Sequence, residues 1–359
     1  MNGKAGLYIH IPFCASKCPY CDFYSVRYDE NAAEEYVERL CAEFKKYRGA
    51  SFDTVYFGGG TPSVLNSELI CRILSEAEKC FDIDENSEIT IECNPSKDLS
   101  DDFKEYKKAG INRVSIGMQS AVKSERLALG RIAGREQVAK TVDDARRAGI
   151  YNISLDVMLG TPKQTMEGLA STFEFIKQSA VPHISAYMLK IEQGTPFYKL
   201  QDKLELPSED EVADMYLETV SRLKKMGLMQ YEISNFARQG FESRHNIKYW
   251  NLTEYLGIGK SAHSFWNGRR FYYDRDFNLV DDGAGGSDEE RIMLGMRLAR
   301  GVEKSLIKKD CSAYIRAGLL TENNSRIAFT PKGFLVSNTI LADLSLIHIS
   351  EPTRHSLIS

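Results

Sequence analysis

The chain has 359 residues, of which 43% are hydrophobic and 27% charged, with a net charge of -4, enough for one large core or two domains. That balance gives no electrostatic footing for nucleic acid. Eight cysteines, three clustered and five scattered (Cys41, Cys71, Cys80, Cys93, Cys311), do not form the framework of a small disulfide scaffold, so reduced thiols and a metal are expected.

From the N-terminus, MNGKAGLYIHIPF carries only a short apolar run, with no cleavage site and no stretch of about 20 apolar residues, so the expected location is the cytoplasm. Short apolar runs then alternate with amphipathic segments. LYIHI precedes a helical pattern at 31–47, DTVYF one at 66–80 and EITIE one at 99–109. NRVSIG precedes 135–148, NISLDVML 165–178 and HISAYML 208–226, giving six β-then-α units. Such alternation predicts parallel strands joined by right-handed crossovers. Gly110, Gly149 and Gly227 stand where left-handed helix caps are expected. Six units fall short of a closed eight-fold barrel. The expected fold is therefore α/β, a partial (β/α)6 TIM-like barrel over 1–237 with its site at the C-terminal strand ends.

Past residue 237 the alternation stops, and a Gly-, Tyr- and Asn-rich stretch leads to helical patterns at 287–300 and 304–317. A hairpin (GLLTENNSRIAFTPKGF) and a last helix from 334 follow, so 238–343 is expected to hold a small α+β, winged-helix-like domain. The acidic total and the lack of an Arg/Lys stripe favour packing against the barrel over DNA binding. The final SLIHISEPTRHSLIS lacks helical periodicity and resembles translated sequencing adapter. Residues 344–359 are therefore expected to be a non-native, disordered tail, with His348 and His355 not ligands.

The segment CASKCPYCDF follows the first strand directly, at the end of the barrel where ligands bind. Cys14, Cys18 and Cys21 can hold three irons of a [4Fe–4S] cubane and leave the fourth open as a binding site. A structural zinc completed by His10 is the alternative, disfavoured because such sites close with four ligands.

This CxxxCxxC loop resembles the signature of radical S-adenosylmethionine (SAM) proteins. YIHIPFC, GGGTP, the Glu of IECNP, IGMQS, LGR and SLDVMLGTP occur in the order and spacing of the coproporphyrinogen III oxidase-like branch. HNIKYW is similar to the HNxxYW motif of the HemW heme chaperones. The resemblance implies SAM chelating the open iron through its amino and carboxylate groups. It also implies heme as cargo, delivered to an acceptor protein for which a membrane respiratory enzyme is one candidate, and a homodimer as one candidate assembly. The oxidases carry a further cysteine two residues after the third, where this chain has Phe23, and a long extension before the first strand, where seven residues precede Tyr8. Both differences point to the chaperone, with the oxygen-independent oxidase or another radical SAM enzyme as alternatives.

The resemblance also assigns residues. Gly59, Gly60 and Thr61 would meet SAM, although a Gly-rich stretch alone is often only a turn, and Tyr8 would contact SAM or serve as a core aromatic. Glu92 would bind a ribose hydroxyl or the ammonium, or else close a barrel-end salt bridge. Gln119, Arg131 and Asp156 match positions that contact a second SAM in the oxidases, though Arg131 and Asp156 could equally pair with each other. Cys93 reads either as a pocket neighbour of Glu92 or as a small buried hydrophobe. His245 would be the axial heme ligand, in a loop able to reach the open mouth or the small domain, with Tyr249 and Trp250 offering aromatic faces. As a residue type alone, it reads as a hydrogen-bonded packing histidine.

Overall fold

The computed structural model describes residues 4–345; the expected foreign tail lies almost wholly outside them. β1 (Ala5–Ile11) leads into a short pair, β2 (Phe13–Cys14) and β3 (Val26–Arg27), which brackets the cysteine loop, and then into α1 (Glu30–Phe44). Five further strands follow, each with its crossover: β4 (Ser51–Gly59) with α2 (Ser67–Cys80), β5 (Asp82–Cys93) with α3 (Ser100–Lys108), and β6 (Arg113–Gln119) with α4 (Lys123–Ala128) and α5 (Arg135–Arg147). β7 (Asn152–Leu159) precedes α6 (Met166–Ser179), and β8 (His183–Met188) precedes α7 (Pro196–Leu200) and α8 (Glu209–Lys225). Strands β1, β4, β5, β6, β7 and β8 pair in that order, all parallel, as the six-fold alternation predicts. Helices begin where side chains cap them, as Asn66 accepts from Leu69 N and Ser208 from Glu211 N. Gly110, Gly149 and Gly227 all have positive φ just past helices, the cap conformation expected of them.

The sheet does not stop with the alternation. At one edge β8 pairs antiparallel with β10 (Asn235–Ala237), which pairs with β9 (Met229–Gln230). At the other edge, α9 (Arg244–Trp250) is followed by β11 (Tyr255–Ile258), which pairs parallel with β1. An antiparallel meander, β12 (His263–Trp266), β13 (Arg269–Tyr273) and β14 (Leu279–Ala284), extends that edge, giving twelve strands in linear order among the described residues.

Beyond the meander come α10 (Asp288–Gly295), β15 (Val302–Glu303), α11 (Ser312–Arg316), the hairpin β16 (Leu320–Asn323) and β17 (Arg326–Phe329), α12 (Pro331–Leu335) and α13 (Ser337–Ser345). The hairpin takes β15 as a third strand. This region meets the barrel at residues 231–233, where Ala299 N donates to Tyr231 O and Ile233 N to Arg297 O.

Strand alternation sorts the sheet's two faces. Leu7, Ile9, Val55, Phe57, Ile89, Ile91, Val114, Ile116, Ile153 and Leu155 belong to the large core under the helices. Cys93 joins them, 4% exposed, so of its two readings the structure takes the small buried hydrophobe. The alternate positions face the concave side, where Tyr56 bonds Glu92, Ser115 bonds Asp156, Ser154 bonds His183, and the Tyr8 ring packs on Tyr56. A polar concave face enclosed by strands is costly unless its groups serve one another or a ligand.

Candidate active site at the strand C-termini

The cysteine loop sits over the C-terminal strand ends, held by the β2–β3 pair at its base and by Phe197 N donating to Pro19 O at its tip. All three thiols are half-buried, and Cys14 Sγ lies 3.6 Å from Thr61 Oγ1. Burial pushes the Cys21 thiol up to about 11, and Cys18 and Cys14 add to the rise. Among the described residues no three His, Cys, Asp or Glu side chains gather closely enough to hold one metal ion. A cubane takes one thiolate per iron, so its ligands stand farther apart than those of a single ion, and three soft thiols on one loop suit it. His10 is not a fourth ligand here: its Nδ1 lies 3.1 Å from the Tyr8 hydroxyl and its Nε2 3.3 Å from Tyr24 O.

The glycine run at the end of β4 brings three segments together. Gly60 N and Thr61 N donate to Ile11 O and Phe13 O, both at 2.8 Å, which binds the run to the cysteine loop's base. A Cβ on Gly60 would stand 2.6 Å from Phe13 O, and one on Gly59, whose φ is +110°, would strike the His10 ring. With these two amides occupied and the Gly59 backbone bonded to Glu92, the groups of 59–61 left for a ligand are the Thr61 hydroxyl and backbone carbonyls.

Beneath the loop, Tyr56 donates to Glu92 Oε1 at 2.8 Å, and Ser115 donates to Asp156 Oδ1 at 2.9 Å. Burial pushes Glu92 up to about 7, with Asp156 adding to the rise, and burial also raises Asp156. Arg131 does not pair with Asp156; its Nε and Nη2 both donate to the Tyr20 hydroxyl at 3.2 Å. Burial works against the Arg131 charge, but Tyr20, Cys18 and Cys21 hold its pKa above the ordinary value. Gln119 is buried with a φ of +67°, and a Cβ on Gly117 would meet both its amide and the Arg131 guanidinium, so these two side chains share one wall. Tyr8 is fully buried, its ring 6.2 Å from that of Tyr56.

His245 lies elsewhere. Instead of a loop reaching the mouth, it belongs to α9, which closes the opposite end of the barrel against the N-terminal strand ends. Its Nδ1 is 2.8 Å from Thr54 Oγ1 and its Nε2 2.8 Å from the Tyr249 hydroxyl, and its ring stacks on Tyr56 at 5.2 Å and is wholly buried. Burial pushes its pKa down to about 3. The Glu88 carboxylate accepts from Arg244 N and His245 N, while Lys248 pairs with Asp53 and donates to Lys4 O. The expected placement of His245 in a loop reaching the mouth is thus corrected: it lies in a helix at the barrel floor, with both nitrogens hydrogen-bonded as in a packing histidine.

Sequence reasoning passed over Arg113, 1% exposed inside the concave face, with its Nε unpartnered in hydrogen bonds. It acts electrostatically on both Glu92 and Asp156. The available signal was a guanidinium inside NRVSIG, an otherwise uncharged strand buried on both faces.

Comparison with known proteins follows the same lines. Residues 8–176 match the Radical SAM superfamily. A heme chaperone HemW of Lactococcus lactis is 35% identical over 96% of this chain and 98% of its own length. One of Escherichia coli is 35% identical over 93% of this chain and 96% of its own. The solved Escherichia coli coproporphyrinogen III oxidase (HemN), described as a radical SAM enzyme, superposes with a TM-score of 0.81 at 22% identity, over 95% of this chain and 90% of that one, which is a likeness of fold.

Proposed function

Because the chain belongs to the HemW heme chaperone family of radical SAM proteins, we propose that it binds heme and passes it to an acceptor protein. A [4Fe–4S] cluster on Cys14, Cys18 and Cys21, with SAM on its open corner, accompanies that task. The observation supporting the cluster is the set of three half-buried thiols on one loop, above a wall carrying Arg131, Gln119 and two carboxylates of raised pKa. When bound, the cluster supplies one-electron redox chemistry and an iron open to SAM.

The chain's own groups prepare for that charge. Arg131, anchored on Tyr20, offsets thiolate charge at Cys18 and Cys21. Thr61 Oγ1 stands beside Cys14 and can donate to its sulfur. Glu92, poised near neutrality, can accept from a ribose hydroxyl or take up an ammonium partner, with Tyr56 fixing its carboxylate. Tyr8, Gly59, Gly60, Gln119 and Asp156 complete the proposed SAM-facing surface. An acceptor among membrane respiratory enzymes fits a heme carrier; among the described residues no helix is long and apolar enough to cross a membrane itself.

The test is an anaerobic heme titration of cluster-reconstituted protein, followed by transfer to candidate apo-acceptors. Stoichiometric binding and transfer are expected. Decarboxylation of coproporphyrinogen III in the presence of SAM and a reductant would instead assign the oxidase reaction.

A further inference from the structure

We propose that Arg131, fastened by the Tyr20 hydroxyl, tunes the reduction potential of the [4Fe–4S] cluster on the cysteine loop, a proposal that rests on the cluster reading of Cys14, Cys18 and Cys21. The resemblance to the oxidases points Arg131 toward a second SAM, whereas the structure commits one edge of its guanidinium to the loop. Nε and Nη2 both donate to the Tyr20 hydroxyl at 3.2 Å, and Tyr20 stands between Cys18 and Cys21 in the chain. Those two thiols, with Tyr20 itself, are the groups that act electrostatically on Arg131. The backbone around the bond is held as well. Gly130, with a φ of +71°, packs so close to the loop tip that a Cβ on it would stand 3.0 Å from Pro19 Cδ, and Arg131 N donates to Arg126 O at 2.8 Å. From α7, Phe197 N donates to Pro19 O at 3.0 Å, and the Phe197 ring lies 6.1 Å from that of Tyr20. The loop tip is thus held by both the α4–α5 connection and α7, and the Arg131 charge has a fixed place beside it.

The charges of the loop itself differ in what they can do. Lys17 is exposed and donates to Phe23 O, so water and salt screen it. Asp22, one residue past Cys21, carries the opposite sign. Arg131 is half-buried and hydrogen-bonded, so its field is weakened less than that of Lys17. When the cluster takes one electron from a low-potential one-electron donor, the cluster and its thiolates become one charge more negative, with no bond formed or broken at Arg131 and no proton moved. A fixed cation lowers the energy of the reduced state more than that of the oxidised one, and so raises the potential.

The test is a redox titration of the reconstituted full chain without SAM, followed by the EPR signal of the reduced cluster, in the parent, Arg131→Gln, Arg131→Lys and Tyr20→Phe forms, with iron content measured for each. Arg131→Gln is expected to keep its iron and to become roughly tenfold harder to reduce, a midpoint about 59 mV more negative for one electron. Arg131→Lys keeps the charge and should stay closer to the parent. Tyr20→Phe keeps the cation but unfastens it, and should fall between the parent and Arg131→Gln. A residue that only braces the loop would change iron content or melting temperature and leave the midpoint of the intact cluster where it was. An unchanged midpoint in cluster-loaded Arg131→Gln therefore overturns the proposal while the cluster reading stands. Should Arg131→Gln hold no iron, Tyr20→Phe decides: a lowered midpoint supports the tuning role and an unchanged one overturns it. A parent that takes up no [4Fe–4S] cluster overturns the cluster reading, and the proposal with it.

Discussion

Two buried side chains show what single residues cost this fold. Glu232 is fully buried, accepts from Ser234 N at 3.2 Å, and leaves Oε2 without a hydrogen bond; burial pushes its pKa up to about 7. An acid raised in the folded state binds its proton more tightly there than in the unfolded chain, so its penalty is absent below the unfolded value and grows as pH rises toward 7. Glu232→Gln should therefore stabilise by about 2–3 kcal/mol at pH 8 and by almost nothing near pH 4.5, read from urea unfolding at both pH values. A pH-independent difference would show that the carboxylate is not the source. His245 carries the opposite sign of effect. Removing its ring strands the Thr54 and Tyr249 hydroxyls and opens a cavity against Tyr56, so His245→Ala should cost about 2–4 kcal/mol while leaving iron content intact. Neither role is visible locally, because Thr54 lies 191 residues from His245; only its bond to Tyr249, one helical turn on, is written in the spacing HNIKY.

At the scale of elements, the end of β4 works as a hub for the cysteine loop. Gly60 lies so close to Phe13 O that even a methyl group must displace the β2 backbone, one residue before Cys14. Gly60→Ala is expected to destabilise by about 1–3 kcal/mol and to lower iron retained after reconstitution. Normal iron content with an unshifted melting temperature would deny the coupling. The direct control is Cys14→Ala, Cys18→Ala or Cys21→Ala, each expected to lose the roughly four irons of a cubane outright. The six β-then-α units were legible because each buried strand still alternates apolar and polar residues, and each helix keeps its own period. β11–β14 were not. They are short, rich in Gly and aromatics, and their register depends on β1 and on one another, pairings that no local period encodes. The mouth was legible through its cysteines, whereas the Tyr20–Arg131 bond spans 111 residues and left no trace in the local pattern.

The whole molecule is organised by its two barrel ends. The C-terminal ends hold the cysteine loop and the carboxylates; the N-terminal ends are sealed by α9 through Glu88, Asp53, Thr54 and Lys4. The sealing helix α9 comes after residue 237, as does β11, which covers the edge of β1. A chain cut after Ala237 would lose the helix whose first amides Glu88 accepts from, expose the β1 edge as an unpaired parallel strand, and open the polar concave face to water. Exposed edges of this kind invite intermolecular pairing. The fragment 1–237, although it contains all three cysteines and all six β-then-α units, is therefore expected to be recovered as aggregate and to hold little iron. The decisive measurement is gel filtration with iron analysis of that fragment beside the chain ending at 345. A monodisperse, cluster-loaded fragment would show that the first 237 residues fold as an independent domain and that α9 and β11 merely decorate it.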